Sequence, residues 1–459
     1  MSHIRIKVCF LLPFCLGGWP AKMWGADPAT TTPVPAGWQK PAWLTDLAAG
    51  VKEGYDDNVL LVSGHGLPIQ SSWVTSVSPK VGLNLAPWLG NPQTVQTLTL
   101  GYAPEVNLYH EAPVENYTAH KATLAAKVKD GDFSFGLDNA FLYDEGSPVA
   151  ETYALNQTSN QNDKYDNFFA RAVPRERREQ IQDRATLLGQ EDWEHFFVRS
   201  TAALTYYGLD TYLFSTSAAP YKGYQNCPDR YDANGGVDVG YKVTSDLAVT
   251  LGYRYGQQHQ QALPPLAGLD TRESSSDYQR VLLGLEGKPW SWLKVKLAGG
   301  PDFRDYNPQA YVSDDHLTTY YGEAAVTATI SPEQSVTVNY KQWQWVSANG
   351  VVPYFDSLYS LAYHWKATPK LDLSLGGRIQ EADFTSGTDT AGSAPSLRDD
   401  RQYSVTAGIT YAVNPHLSAC LTYAHDLGAN VLAGLPAAMQ PAYRDFEHQV
   451  VSLGLQYKF

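Results

Sequence analysis

Residues 451–459 read VSLGLQYKF, and that stretch decides the fold. Val451, Leu453, Leu455, Tyr457 and Phe459 fall on one parity, and Ser452, Gly454, Gln456 and Lys458 on the other. Successive side chains of a β-strand point to opposite faces, so this segment offers apolar atoms on one side and polar atoms on the other. The rule recurs further in. Leu247, Val249, Leu251, Tyr253 and Tyr255 oppose Ala248, Thr250, Gly252, Arg254 and Gly256. Leu371, Leu373, Leu375 and Ile379 oppose Asp372, Ser374, Arg378 and Gln380, while Tyr403, Val405, Ile409, Tyr411 and Val413 oppose Ser404, Thr406, Gly408 and Thr410. One face of each segment suits lipid and the other suits water.

The connections carry more information than any single strand. Thr244–Asp246, Gly287–Ser291, Ser331–Gln334, Thr368–Lys370 and Asn414–His416 are short, and longer polar stretches near 260–274, 305–316, 348–354, 385–400 and 428–445 fall between them. Short–long alternation is the mark of an up-and-down transmembrane barrel with tight periplasmic turns and long external loops. Strand-like segments centre near 56, 79, 100, 122, 139, 200, 213, 238, 252, 281, 298, 324, 340, 361, 377, 407, 421 and 453. The expectation is an all-β, antiparallel barrel of about 18 strands over 47–459, with 16 as the alternative count; an even number puts both ends of the sheet on one side of the membrane.

The rest of the chain fits that frame. Arg5 and Lys7 precede a short apolar run, Val8–Leu16, so residues 1–26 read as a secretory signal, with Ala26 and Ala21 as rival cleavage sites, each following a bulky Trp by two residues. Phe14 before Cys15 speaks against a lipoprotein. Residues 27–46 open with a Pro- and Thr-rich stretch that serves as a periplasmic lead-in. No folded plug domain is expected ahead of the barrel, because the two-residue period begins soon after the expected mature start. Without residues 1–26 the chain keeps 31 basic and 47 acidic side chains, a net charge of −16 that argues against nucleic acid as a partner. Aromatics make up 12% of the chain and charged residues 18%, a mixture suited to alternating faces.

Residues 146–191 form the longest insertion, the third external loop by this count, and RERREQIQDR within it suits a short helix. Two roles compete for it: a solvated cap, or a constriction folded into the lumen with Arg171, Arg175, Arg177, Arg178 and Arg184 setting the pore charge. Inward parity gathers the candidate pore-lining residues Arg254, Arg280, Lys294, Lys296, Glu323, Lys341 and Arg378, with Asp238, Glu286, His364, Lys366 and Asp372. They either pair across the wall or bias the lumen toward anionic or sugar-acid solutes. Trp88, Trp290, Trp292, Trp365 and Phe459 near short turns, and Tyr143, Tyr255, Tyr306, Trp343, Trp345 and Tyr423 near the outer ends, read as two interfacial girdles. A rival reading turns Trp343 and Trp345 inward as sugar-stacking platforms, because their parity opposes Val336, Val338 and Tyr340.

Nothing in the pattern points to an enzyme, a cofactor or a metal. His425 and Asp426 are adjacent and so point apart, the eleven histidines show no HExxH-type spacing, and Cys227 and Cys420 form no framework.

Glu53–Leu61, EGYDDNVLL, resembles the opening of the β-barrel porin 2 family, some of whose members accompany exopolysaccharide operons. The resemblance implies an outer-membrane barrel of a Gram-negative bacterium and assigns no substrate. Leu455, Tyr457 and the terminal Phe459 resemble the signal that outer-membrane proteins present to the barrel-assembly machinery. The expected partners are outer-membrane lipids, lipopolysaccharide, that machinery, and small hydrophilic solutes or polysaccharide. The leading expectation is a porin-like channel for passive diffusion of small hydrophilic solutes; the alternatives are an accessory barrel for exopolysaccharide export and a structural or adhesive protein.

Overall fold

The computed structural model describes residues 41–61, 69–89, 94–145, 180–209, 229–261, 273–308, 314–346, 353–384, 398–431 and 446–459. By its contacts the chain divides into Met1–Pro41 and Ala42–Phe459, and the second unit is the barrel. The strands are β1 (Leu44–Asp56), β2 (Ser72–Asn84), β3 (Val95–Tyr102), β4 (Glu105–Tyr109), β5 (Tyr117–Asp130), β6 (Phe133–Asp144), β7 (Gln180–Asp192), β8 (Phe196–Leu209), β9 (Arg230–Thr244) and β10 (Leu247–Gln260). They continue with β11 (Ser276–Trp290), β12 (Leu293–Tyr306), β13 (His316–Ser331), β14 (Gln334–Val346), β15 (Pro353–Thr368), β16 (Leu371–Phe384), β17 (Arg398–Ala412), β18 (Leu417–Val431) and β19 (Phe446–Lys458). Each pairs antiparallel with its neighbours, and β1 closes on β19 from Ala48↔Lys458 to Asp56↔Val450.

Two of these segments are one membrane crossing. β3 and β4 share the row between β2 and β5, and the register Val81↔Tyr102 continues unshifted as Val77↔Val106. Carried across the gap, that register sets Pro104 opposite Pro79. Neither proline has an N–H, so the ladder is interrupted without a change of register. The barrel therefore has 18 transmembrane strands.

The sequence dictates the turns at one end. In Thr244–Asp246, Ser331–Glu333, Thr368–Lys370 and Asn414–His416, the first side-chain oxygen accepts the N–H two residues on, at 3.3, 3.2, 3.2 and 2.8 Å. Short polar side chains mimic the backbone in this way and close a turn with few residues. Between β5 and β6, Gly131 takes φ +58°, a conformation costly for any residue with a Cβ. These short connections mark the periplasmic end, and the longer connections lie at the other.

The burial pattern is inverted relative to a water-soluble protein. Leu251, Leu283, Tyr320, Leu453 and Leu455 are exposed, whereas Arg304, Arg230, Gln258, Gln380 and Asp356 are buried. Contiguous apolar surface of this extent requires a lipid partner, and a closed sheet exposes no unpaired strand edge to it. No described helix is long and apolar enough to cross a membrane; the strands do so. The protein is an outer-membrane β-barrel. Trp290 and Trp292 stack at 5.8 Å, Trp43 and Trp88 lie 6.0 Å apart, and Tyr457 meets Phe459 at 4.9 Å near the periplasmic end, where amphipathic rings favour the headgroup region.

Two expectations need correction. Residues 180–192, assigned to the third external loop and partly to a helix, form β7, paired with β6 and β8 along its length. The strand centred near 213 and the loop core 146–179 lie outside the described residues, as do the signal and most of the lead-in. The barrel also begins at Leu44, slightly before 47.

Candidate functional site

The inner wall of β8–β13 is lined with paired charges. Arg199 on β8 makes a bidentate contact with Glu286 on β11 (Nη1–Oε1 2.8 Å, Nη2–Oε2 3.0 Å) and reaches Asp238 on β9 through Nε at 3.0 Å. Arg254 on β10 holds the other Asp238 oxygen at 2.7 Å. Nearer the outer end, Arg280 meets Asp302 at 2.8 Å, and its guanidinium stands 4.0 and 4.4 Å from the ring centres of Tyr278 and Tyr321. Arg304 donates to Asp302 (3.1 Å) and Gln258 (2.7 Å), and Asp232 accepts from the Tyr278 hydroxyl and from Gln258, both at 2.8 Å. Gly256 sits where a Cβ would strike the Tyr278 ring, so its missing side chain lets that ring lie flat along the wall.

A hairpin crosses this wall. The β13–β14 ladder runs from Ser331↔Gln334 to Gly322↔Gln342 and stops there, while β14 stays paired with β15 as far as Val346↔Pro353. Beyond Gln342 the β14–β15 hairpin leaves the cylinder and leans into the lumen. The Gln344 carbonyl accepts hydrogen bonds from Gln258 of β10 (2.8 Å) and Arg304 of β12 (3.3 Å), neither of which is on a neighbouring strand. Trp345 meets Tyr207 of β8 edge-on at 6.3 Å, and Arg230 of β9 stands 4.7 Å over Tyr207 and 5.9 Å from Trp345. Tyr207, Trp343, Trp345, Tyr354, Leu358 and Ala382 form a buried apolar cluster inside the outer end of the barrel. The outer end of β14 thus narrows the external mouth, with Gln344 and Trp345 held on Arg304 and Arg230.

The opposite wall carries a cleft. Glu105 of β4 is held by Lys121 (2.9 Å) and Lys52 (3.7 Å), and Ser76 donates to Asn107 at 2.6 Å. Asp56, His448 and Ser452 complete its lining.

All seven pore-lining candidates lie on the inward parity. Arg254 and Arg280 belong to the paired charges above; Lys296 lies 3.7 Å from Glu323, which accepts from the Tyr321 hydroxyl at 2.8 Å; Lys341 stands 4.4 Å over the Trp343 ring; and Arg378 donates to Gln380 at 2.7 Å. Lys294 is exposed on the inner face near the periplasmic end. Of the constriction-loop candidates, Arg171, Arg175, Arg177 and Arg178 lie outside the described residues. Arg184 is not in a loop: it sits on β7 opposite Ala140, sharing inward parity with the buried Gln180 and Gln182. Trp343, Trp345 and Tyr306 do not belong to the outer girdle. They are buried on the inner face, because the strand period overrides the tendency of aromatics to gather at strand ends. Burial also denies Trp343 and Trp345 the open face that a sugar-stacking platform needs. His425 and Asp426 point apart, His425 to Glu447 at 3.1 Å and Asp426 toward the lumen. Leu455, Tyr457 and Phe459 are exposed on the outer face.

Sequence reasoning passed over Arg199, Arg304, Asp302 and Tyr278. Parity was the available signal for Arg304, which continues the inward series of Lys294 and Lys296. Tyr207 and Arg230 are cross-strand partners on β8 and β9, but Trp345 reaches them, and Gln344 reaches Gln258 and Arg304, only through the inward lean of β14, which no local pattern announces.

No family model matches the chain, and no curated protein matches it. Among solved structures, the chain is similar to the outer membrane protein OpdK of Pseudomonas aeruginosa (TM-score 0.39, 12% identity, covering 90% of this chain and 99% of that one). It is also similar to outer-membrane expressed OmpT of Vibrio cholerae (0.36, 12%, 92% and 99%) and the FrpB iron transporter of Neisseria meningitidis (0.42, 8%, 90% and 82%). At these scores the likeness says nothing about what passes through this barrel.

Proposed function

We propose that this protein is a passive outer-membrane channel for small hydrophilic solutes, narrowed at its external end by the β14–β15 hairpin. The observation that carries the reading is the polar inner face crossed by that hairpin, with Gln344 and Trp345 docked on Gln258, Arg304, Tyr207 and Arg230. Water and polar solutes meet hydrogen-bonding side chains along the wall, and the hairpin sets a size limit. Carboxylates offset most of the guanidinium charge, so discrimination by sign is weak. Lys294 and Lys296 are exposed on the inner face and tilt the lumen toward anionic or sugar-acid solutes. The reading assigns no catalysis and no cofactor; its partners are the surrounding lipid and lipopolysaccharide, and the assembly machinery that takes up the Phe459 strand.

The test is single-channel recording in planar bilayers. The wild-type protein gives discrete conductance steps, and Trp345→Ala combined with Tyr207→Ala loosens the hairpin and enlarges them. A protein that inserts without steps in both forms is not a channel. A second reading, an accessory barrel for polysaccharide export, is favoured by Glu53–Leu61 and its resemblance to the porin 2 family. Loss of secreted polymer on gene deletion, with small-solute uptake unchanged, would select it.

A further inference from the structure

The seam where β1 closes on β19 ends in a group of side chains outside the paired charges of β8–β13. His448 Nε2 lies 2.8 Å from Asp56 Oδ1, and the donor atoms of Asp56, Asp57 and His448 all fall within 4.8 Å of one another. Among the described residues, no other three His, Cys, Asp or Glu side chains meet so closely. Asp56 and His448 are 7% and 1% exposed, so both are removed from bulk water. One imidazole nitrogen with carboxylate oxygens is the donor set of Zn²⁺ and its first-row neighbours, with bonds of about 2.0–2.2 Å.

A second observation is independent of that spacing. Asp426 of β18 is 3% exposed, and its Oδ2 accepts no hydrogen bond; it stands 3.9 Å from His448 Nδ1, while Ser404 donates to the other oxygen. A metal-bound histidine gives its second ring N–H to a carboxylate, and carboxylate ligands are themselves fixed by hydrogen bonds. Here Asp57 Oδ1 accepts from the Gln449 amide at 2.7 Å, and Asp56 Oδ1 accepts from the Asn58 amide at 2.9 Å. Electrostatics points the same way. Three carboxylates surround one imidazole, whose single proton balances one negative charge, whereas a divalent cation balances two.

We infer that Asp56, Asp57 and His448, oriented by Asp426, bind one divalent cation of the Zn²⁺ class at the external mouth and clip the β1–β19 seam. The test is calorimetric titration of the purified, detergent-refolded protein with ZnCl₂ after EDTA treatment. One saturable equivalent is expected, with a rise in melting temperature that EDTA reverses. Asp426→Asn should weaken binding about 10–100-fold, as loss of an orienting partner does, and His448→Gln should abolish it. Asp57 is only half-buried, so Asp57→Asn folds as the parent does and should also lose the equivalent. Absence of saturable binding in the wild type, or the same equivalent retained in Asp57→Asn, overturns the site.

Discussion

The guanidinium of Arg199 shows how a single side chain organises the inner wall: it spans three strands by holding Glu286 with two nitrogens and Asp238 with the third. Arg199→Ala strips Glu286 of its bidentate partner and leaves Asp238 to Arg254 alone, a loss of about 1–3 kcal/mol. Urea unfolding in lipid vesicles checks this. Arg199→Lys should recover only a small part, because a point charge does not reproduce the fork. At the outer rim, Glu111 accepts from the Trp73 amide at 2.7 Å and from Ser72 at 2.9 Å, and these hydrogen bonds, the backbone one foremost, hold its carboxyl below the ordinary 4.5. The contact is therefore complete above that value and is lost as pH falls through the lowered one. Trp73 fluorescence should change only in the acid range for the wild type and be acid-insensitive in Glu111→Ala. At this scale, legibility depended on distance along the chain. Arg254, Arg280 and Lys341 were visible because a period of two assigns a face to each, whereas Asp56 and His448 are brought together only by closure of the sheet.

At the scale of elements, β7 is the instructive strand. Its sequence, QIQDRATLLGQED, places polar residues on both parities, since Asp183 faces outward against Asn139 while Gln182 faces inward. Alternation fails there, and the preceding RERRE resembles a helix. Pairing with both neighbours decides the matter, as tertiary context commonly does for strands. The β3–β4 interruption makes a quantitative prediction. Pro79 and Pro104 both sit on the lipid-facing parity with Val77 and Leu108, so replacing both with Val restores two ladder hydrogen bonds without placing anything polar in lipid. Stability should rise by about 1–3 kcal/mol. Hydrogen exchange should show new protection at both positions; unchanged exchange would mean that the two prolines are not opposed.

For the whole molecule, the short–long rhythm of connections and the two-faced strands made the closed barrel legible before any coordinate. The inward lean of β14 was not, because the contacts of Gln344 and Trp345 with Gln258, Arg304 and Tyr207 join strands that are not neighbours in the sheet. The fold stands on one property, the inversion of faces around a closed wall. The most direct measurement is a cysteine scan of residues 447–457 in a background with Cys227 and Cys420 removed, each site labelled with a fluorophore and exposed in turn to a lipid-borne and a water-borne quencher. Strict alternation is expected, with 451, 453 and 455 quenched from the lipid and 450, 452 and 454 from the water. Uniform quenching from water along the strand, or any loss of the two-residue period, would contradict it.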